Sequence, residues 1–115
     1  MKMNKYHNKK TIVNGITFDS QREALYYTYL LSLVKQNKIS ELRLQVKFEL
    51  IPSYSINGKR KRARYYIADF TYMKDNVLQV IDVKGYRTDV YKLKKAMFEY
   101  IYKKEIQEAW NIKFI

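Results

Sequence analysis

The stretch YIADFTYMKDNVLQVIDVKGY, residues 66–86, predicts the centre of the fold, because its pattern is that of two β-strands joined by a tight turn. Asp75 and Asn76 tolerate positive φ, as a two-residue hairpin loop requires. Counting back along both strands from such a loop places Asp69 opposite Asp82 on the same face. A three-residue loop would instead put the two aspartates on opposite faces. The prediction is therefore a hairpin that holds two carboxylates side by side.

Lys84 lies two residues beyond Asp82 and points the same way. Two carboxylates this close repel each other, so a structural role does not readily explain them. A divalent cation does, because magnesium is typically held by one or two carboxylates together with waters and a substrate phosphate. A lysine beside them can orient a water or stabilise charge on the phosphate. The pattern indicates phosphodiester hydrolysis. The plain alternative is a surface ion pair, Asp82 with Lys84, and an Asp69 at an exposed strand end.

Glu23 is a candidate third acid. Ser20 and Glu23 form the S-x-x-E pattern of a capping box, which by itself explains the glutamate. Glu23 also lies on the helical stripe of Tyr27, Leu30 and Val34, which we expect to face the sheet. Both interpretations, helix cap and site carboxylate, stay open at this point.

The first half of the chain predicts a small hairpin, a helix and a strand. The segment TIVNGITF, residues 11–18, carries an Asn-Gly turn between short β-prone runs. A helix capped by Ser20 or Asp19 should follow and end near Asn37. Strict alternation of apolar and polar residues then predicts a half-buried strand over residues 42–50.

The second half predicts another hairpin and a second amphipathic helix. Asn57-Gly58 is a strong hairpin signal, and Thr88 is the expected N-cap of the helix. The residues of this helix predicted to face the interior are Val90, Leu93, Met97 and Ile101. The tail after Lys104 either extends the helix or supplies a last strand, most plausibly IKFI at residues 112–115. The expected fold is α/β (α+β), a central mixed sheet with a three-strand meander flanked by helices.

Length and composition indicate one globular domain, residues 1–115, whose residues 1–10 form a basic N-terminal arm. His7, the single histidine, lies in that arm and is expected to be a plain surface residue. The absence of cysteine excludes disulfides and thiolate metal sites. No run approaches the roughly 18 apolar residues of a membrane span, and no signal peptide is recognisable. We expect a cytoplasmic protein.

The charge balance favours a polyanionic partner. Lysine and arginine number 23 against 11 acids, a formal net charge of +12. Nucleic acid is the first expectation for that partner and an anionic membrane surface the second, and the plain alternative is a merely soluble basic protein. Neither helix combines a strongly apolar face with a basic stripe, which disfavours the membrane. A cluster of positive charges precedes the residue 66–86 hairpin: Lys59, Arg60, Lys61, Arg62 and Arg64.

In these residues the chain resembles the PD-(D/E)XK nuclease superfamily. That pattern is a helical glutamate, an aspartate in one strand, (D/E)-x-K in the next strand and then a helix. It corresponds here to Glu23, Asp69 in YIADF, and Asp82-Val83-Lys84 in VIDVKG. The blocks NKYHNKKTIVNGITFDSQREALYY, YIADFTY and IDVKGYRTDVYKLKK are similar to small phage and prophage proteins catalogued as a domain of unknown function. The resemblance covers residues 4–104, and Holliday-junction resolvases share the same core.

This resemblance implies a restriction-endonuclease-like core and a magnesium- or manganese-dependent DNA endonuclease that acts on branched recombination or replication intermediates. Asp69 and Asp82 would bind the metal together with the backbone carbonyl of Val83, and Glu23 would complete the site. Lys84 would position the nucleophilic water. The residues expected to touch phosphate on the second helix are Thr88, Tyr91, Lys94 and Lys95. Paired cleavage would need a homodimer. The alternative is a non-catalytic nucleic-acid-binding protein on the same fold.

Overall fold

The structure, a computed structural model, describes residues 10–84 and 86–109. In chain order its elements are β1 (Thr11–Val13), β2 (Ile16–Phe18), α1 (Gln21–Lys35), β3 (Ser40–Ile51), β4 (Tyr54–Ile56), β5 (Lys59–Lys61), β6 (Arg64–Lys74), β7 (Val77–Val83), α2 (Asp89–Tyr102) and β8 (Gln107–Ala109). No helix within these residues has the length and apolar character to cross a membrane. His7, nearly all of the predicted N-terminal arm and the predicted IKFI strand lie outside the described residues.

A four-stranded mixed sheet forms the centre of the fold, in the order β3-β6-β7-β8. The first three strands are antiparallel neighbours, and β8 runs parallel to β7. This confirms the predicted α+β class, with a three-strand meander in a mixed sheet flanked by two helices. A short strand follows α2 closely, at Gln107–Ala109. The hairpins β1–β2 and β4–β5 form two separate two-stranded sheets.

The β6–β7 hairpin has the predicted two-residue loop. Residues 75–76 both have positive φ, 51° and 63°. The antiparallel ladder runs from this loop to the pair Phe70–Ile81. The next step along the same register holds Asp69 and Asp82. The two aspartates therefore come together where β6 and β7 cease to pair, at the open end of the hairpin.

Helix α1 follows its prediction closely. Ser20 is the N-cap, and its side-chain oxygen accepts a hydrogen bond of 3.1 Å from the Glu23 N–H. The chain leaves the helix through Asn37, whose φ is 59°. The buried residues of α1 are Ala24, Tyr27 and Leu30. They pack with Phe18, Ile39, Phe70, Tyr72 and Ile81 into what we call the α1 cluster.

The predicted buried stripe of α2 is wrong, although its N-cap, Thr88, is confirmed. Val90, Leu93 and Ile101 are 64%, 63% and 43% exposed. Met97 alone of the predicted four is partly buried against the core. The helix is thus rotated relative to the prediction from aliphatic spacing.

Aromatic side chains decide the orientation of α2. Tyr91 and Phe98, seven residues apart, are its buried residues. Phe98 meets Phe48 edge to face, with ring centroids 5.0 Å apart, and Tyr66 at 5.4 Å. Burial of large rings removes more apolar area from water than burial of the smaller aliphatic residues would. These rings belong to what we call the α2 cluster: Leu50, Tyr66, Ala68, Val80, Tyr91, Phe98 and Ile106.

Strand β6 changes its packing partner at Asp69. Ala68 belongs to the α2 cluster, whereas Phe70, two residues on, belongs to the α1 cluster. In a regular strand residues two apart share one face, so the alternation is interrupted here. The β3–β6 register places Gln45 opposite Asp69, and Gln45 has a φ of 52°, in the left-handed region. The left-handed backbone at Gln45 in β3 therefore lies opposite the point where the residues of β6 stop packing in the α2 cluster and begin to pack in the α1 cluster.

Candidate active site

A cleft of about 350 Å³ brings the predicted acids and the lysine together. Its walls come from α1, β6, β7, the segment after β7 and the first turns of α2. The residues of the predicted site that line it are Glu23, Asp69, Asp82, Val83 and Lys84. The sequence prediction therefore selected residues that the tertiary structure gathers in one place.

Asp82 lies near the end of β7 and is 5% exposed. One carboxylate oxygen, Oδ2, accepts a hydrogen bond of 2.7 Å from the hydroxyl of Tyr66. The other, Oδ1, lies 2.7 Å from the Nζ of Lys84. A buried carboxylate requires such partners, since an unpaired buried charge is costly. The two partners fix the position of the Asp82 side chain in the cleft.

Lys84 is held by contacts to both its side chain and its backbone. Its side chain is 13% exposed, and Nζ lies 3.4 Å from the centroid of the Tyr91 ring, over the ring face. Its N–H donates to the carbonyl of Ala109 in β8, and its carbonyl accepts from the Arg22 guanidinium. The ion pair with Asp82 and the aromatic face both favour a cation at this point. Lys84 is therefore a positioned positive charge inside the cleft.

Asp69 is a half-buried carboxyl group whose charged form the cleft destabilises. Burial raises its pKa to about 8, and the charges of Asp82 and Glu23 add to the effect. A hydrogen bond of 2.7 Å from the Val83 N–H to its Oδ2 favours the charged form, as does Lys84. In this cleft Asp69 ionises only at high energetic cost, which a bound cation would relieve.

Glu23 lies in the first turn of α1, and its side chain faces the cleft. Its backbone N–H completes the Ser20 cap, while its carboxylate lines the cleft. Burial raises the pKa of Glu23, and Asp19 and Asp82 raise it further, whereas Lys84 lowers it. The cap thus holds Glu23 at the first turn of α1, from which its side chain reaches the acids of the sheet.

The sequence prediction missed a second layer of residues behind Lys84. Glu108 in β8, with 8% of its side chain exposed, accepts a hydrogen bond of 2.7 Å from the Tyr91 hydroxyl. It also pairs with Arg87 and, at 3.4 Å, with the Nζ of Lys95. Burial acts to raise the pKa of Glu108, but these hydrogen bonds and charges outweigh it and lower the pKa. Glu108 could not be predicted from the sequence, because it lies in a strand of only three residues and belongs to no recognisable motif.

The residues expected to contact phosphate fall into two groups. Thr88, Tyr91 and Lys94 line the cleft, and Lys95 lies beside it on Glu108. The hydroxyl of Tyr91 is already bonded to Glu108, so its ring beneath Lys84 is its main contribution. The second group is exposed and lies in β5, in the segment after it and at the start of β6: Lys59, Arg60, Lys61, Arg62 and Arg64.

The donor set of the cleft suits a hard divalent cation. Over residues 10–84 and 86–109, no three His, Cys, Asp or Glu side chains stand close enough to hold one ion between them. Magnesium does not need three, because it typically keeps several waters and takes one or two carboxylates. Asp69 and Asp82 would supply these, with the Val83 carbonyl as a further oxygen. Each carboxylate oxygen retains lone pairs beyond its present hydrogen bond.

Comparison with known proteins identifies the family of the chain and no named relative. A search of curated proteins and a search of solved structures each gave no significant match. A family model described as "Protein of unknown function (DUF1064)" matches residues 3–115, nearly the whole sequence. The chain therefore belongs to the DUF1064 family.

Proposed function

We propose that this protein is a divalent-metal-dependent DNA endonuclease of the PD-(D/E)XK type. The observation that carries the proposal is the convergence of Asp69, Asp82 and Lys84 in one cleft, with Lys84 Nζ 2.7 Å from Asp82 Oδ1. Glu23 joins them from α1. A helical glutamate, two strand aspartates and a lysine in this order are the superfamily pattern, here in an α+β fold with a central mixed sheet.

In the proposed hydrolysis of a phosphodiester, the acidic residues of the cleft bind the metal ion and Lys84 acts on the water or the phosphate. Asp69 and Asp82 would hold magnesium or manganese with the Val83 carbonyl, and Glu23 would complete the site. When bound, the ion neutralises phosphate charge and acts as a Lewis acid. Lys84 donates hydrogen bonds to the attacking water or to the phosphate oxygens, where negative charge grows in the transition state. Lys84 acts as a cation, because both its partners, Asp82 and the Tyr91 ring, favour one.

Nucleic acid is the proposed partner because of the charge, +12 over 115 residues. Lys94 brings positive charge to the cleft itself. Five exposed basic residues add positive charge to the segment that leads into β6: Lys59, Arg60, Lys61, Arg62 and Arg64. Positive groups around an acidic centre let a polyanion approach carboxylates that would otherwise repel it.

Branched DNA of phage recombination or replication is the proposed natural substrate, and the cytoplasm of the host cell is the proposed compartment. One chain contributes one set of Asp69, Asp82 and Lys84, so two symmetric cuts in a four-way junction call for a twofold dimer. We propose such a homodimer. Light scattering of the protein alone and on junction DNA tests it, and a monomer in both cases would leave only nicking or flap cleavage.

Cleavage assays with two active-site variants test the proposal. Labelled linear, flapped and four-way DNA are incubated with the protein in magnesium, manganese or EDTA. We expect cleavage with either metal and none in EDTA. Asp82→Asn and Lys84→Ala should each reduce the rate by roughly 100-fold or more, as loss of a positioned electrostatic group does. DNA binding should persist in both variants.

Asp75→Asn and Lys74→Ala provide matched controls, because these residues are exposed at the turn of the same hairpin. Both should cleave at the wild-type rate. Wild-type protein that binds every DNA form tightly but leaves all of them uncut in both metals would favour the non-catalytic binder. Equal loss of activity in the turn variants would show that the hairpin has only a structural role.

A further inference from the structure

The segment of residues 52–64, which we call the basic ribbon, stands apart from the central sheet. Its strands β4 and β5 pair with each other, and among the described strands they pair with no other. All six strand residues are exposed. An isolated two-stranded hairpin contributes little stability by itself, so burial in a core does not explain the ribbon.

The ribbon is nevertheless ordered. Its turn residues Asn57 and Gly58 have φ of 50° and 73°, the signs that a two-residue type I′ loop requires. This loop matches the natural twist of the two strands. Arg60 donates a hydrogen bond of 2.8 Å to the Ser53 hydroxyl, which joins the flank of the ribbon to its strand. A preformed ribbon loses little conformational entropy when it binds a partner.

The surface of the ribbon is basic on both faces and partly apolar on one. Residues 52–64 include five lysines and arginines and no acid. The register pairs Tyr54 with Lys61 and Ile56 with Lys59, so these four side chains share one face. Tyr54 and Ile56 are 47% and 53% exposed. This face therefore combines apolar side chains with neighbouring positive charges. The apolar side chains could contact base edges in a groove, and the positive charges could contact the phosphates on either side.

We infer that the basic ribbon enters the major groove of B-form DNA. The inference rests on the proposed function for the identity of the polyanion. The major groove of B-DNA is about 12 Å wide and admits a two-stranded β-ribbon, whereas the undistorted minor groove is about 6 Å wide and admits one only when the DNA is deformed. The major groove of an A-form RNA duplex is deep and narrow, and side chains do not read it. The ribbon thus selects DNA duplex arms over RNA duplexes.

Binding measurements in EDTA test the inference without any need for cleavage. Fluorescence anisotropy compares a DNA duplex with an RNA duplex of the same sequence. We expect the DNA to bind at least about tenfold more tightly, because only its major groove admits the ribbon. Methyl green, which occupies the major groove, should compete with the protein, and netropsin, which occupies the minor groove, should not. Equal affinity for RNA, or competition by netropsin alone, would overturn the inference.

A double variant locates the effect in the ribbon. Lys59→Ala with Lys61→Ala removes two charges from its mixed face, and Lys35→Ala with Lys38→Ala removes two exposed charges elsewhere. The ribbon variant should lower the slope of log affinity against log salt by about 1.8, two contacts at about 0.9 each. It should also lose sensitivity to methyl green. The control pair should change neither, and equal effects would mean that net charge alone attracts the DNA.

The two proposals fail separately. Ribbon variants that bind and cut DNA like the wild type, in a protein that does cleave, would remove the ribbon inference and leave the nuclease. A wild-type protein that never cleaves, but whose DNA binding depends on the ribbon as described, would remove the nuclease and leave the inference. Thermal unfolding of each variant checks that the exposed substitutions have not disturbed the domain.

Discussion

Asp69→Asn should stabilise the metal-free protein at alkaline pH. In the folded state the cleft raises the pKa of Asp69 from its ordinary value of 3.8 to about 8, first through burial and then through Asp82 and Glu23. Between these two pH values the folded protein retains a proton that the unfolded chain releases. Stability therefore falls as pH rises through this window, and the loss is complete above about pH 8. Asparagine carries no charge and escapes this cost.

The size of the effect follows from the shift. At about 1.36 kcal/mol per pKa unit, a rise from 3.8 to about 8 gives an upper bound of about 6 kcal/mol. Asp69 interacts with the charges of Asp82 and Glu23, so removal of its own charge recovers only part of this, about 2–4 kcal/mol. The amide oxygen of the introduced asparagine can still accept the hydrogen bond that the Val83 N–H donates. The substitution thus removes charge and leaves the local structure in place.

Thermal unfolding in EDTA at several pH values is the assay. At about 4 °C per kcal/mol, the variant should melt roughly 10 °C above the wild type near pH 8.5, and only a few degrees above it near pH 5. Asp75→Asn, which replaces an exposed acid in the hairpin turn, is the control and should show no such trend. Saturating magnesium should raise the melting temperature of the wild type more than that of the variant. A variant less stable than the wild type at alkaline pH, or a difference independent of pH, would refute the reasoning.

Three further predictions concern packing, the second layer of the cleft and the ribbon. Phe98→Ala should lower the free energy of unfolding by about 3–5 kcal/mol in urea titrations, because Phe98 is fully buried. Leu93→Ala, at a position 63% exposed, should lower it by less than about 1 kcal/mol in the same assay. Glu108→Gln weakens charge-assisted hydrogen bonds and should cost about 1.5–3 kcal/mol. Folding lowers the pKa of Glu108 from 4.5, so the full loss of stability should be seen above about pH 4.5. It should disappear as the pH falls through the pKa of Glu108 in the folded protein, and thermal unfolding at several pH values measures this. Gly58→Ala places a Cβ atom at a φ of 73°, where an L-residue is strained by about 1 kcal/mol, although no other atom lies within 4 Å of it. The strain should distort the ribbon turn and weaken DNA binding severalfold in anisotropy. The melting temperature of the domain should not change, because the ribbon lies outside the core.

Local signals in the sequence determined the site hairpin. A two-residue Asp-Asn loop fixes the register of β6 and β7 as far as the pair Phe70–Ile81, and the next step along that register holds Asp69 and Asp82. Lys84 follows by the two-residue period of a strand. The cap at Ser20 is equally local, since a side chain and an N–H three residues apart form it. Such features depend on neighbours along the chain, and these neighbours can be read directly from the sequence.

The rotation of α2 and the surroundings of Lys84 depend on long-range packing. Aliphatic spacing on α2 favoured a face with Val90 and Leu93, but the core beside Phe48 and Tyr66 accepts the rings of Tyr91 and Phe98 instead. Helical periodicity shows which residues share a face, and it does not show what shape that face meets. The same rotation brings Tyr91 beneath Lys84 and within reach of Glu108.

Glu108 is the residue of the cleft region that the sequence was least able to predict. It lies 24 residues from Lys84 in sequence, on a strand of three residues, and carries no motif. Its importance comes from the parallel pairing of β8 with β7, which sets Glu108 opposite Asp82. A parallel neighbour is reached through a crossover helix, so no local turn announces its register. The sequence alone thus determined the pattern of two acids and a lysine, and long-range packing decided which residues hold it in place.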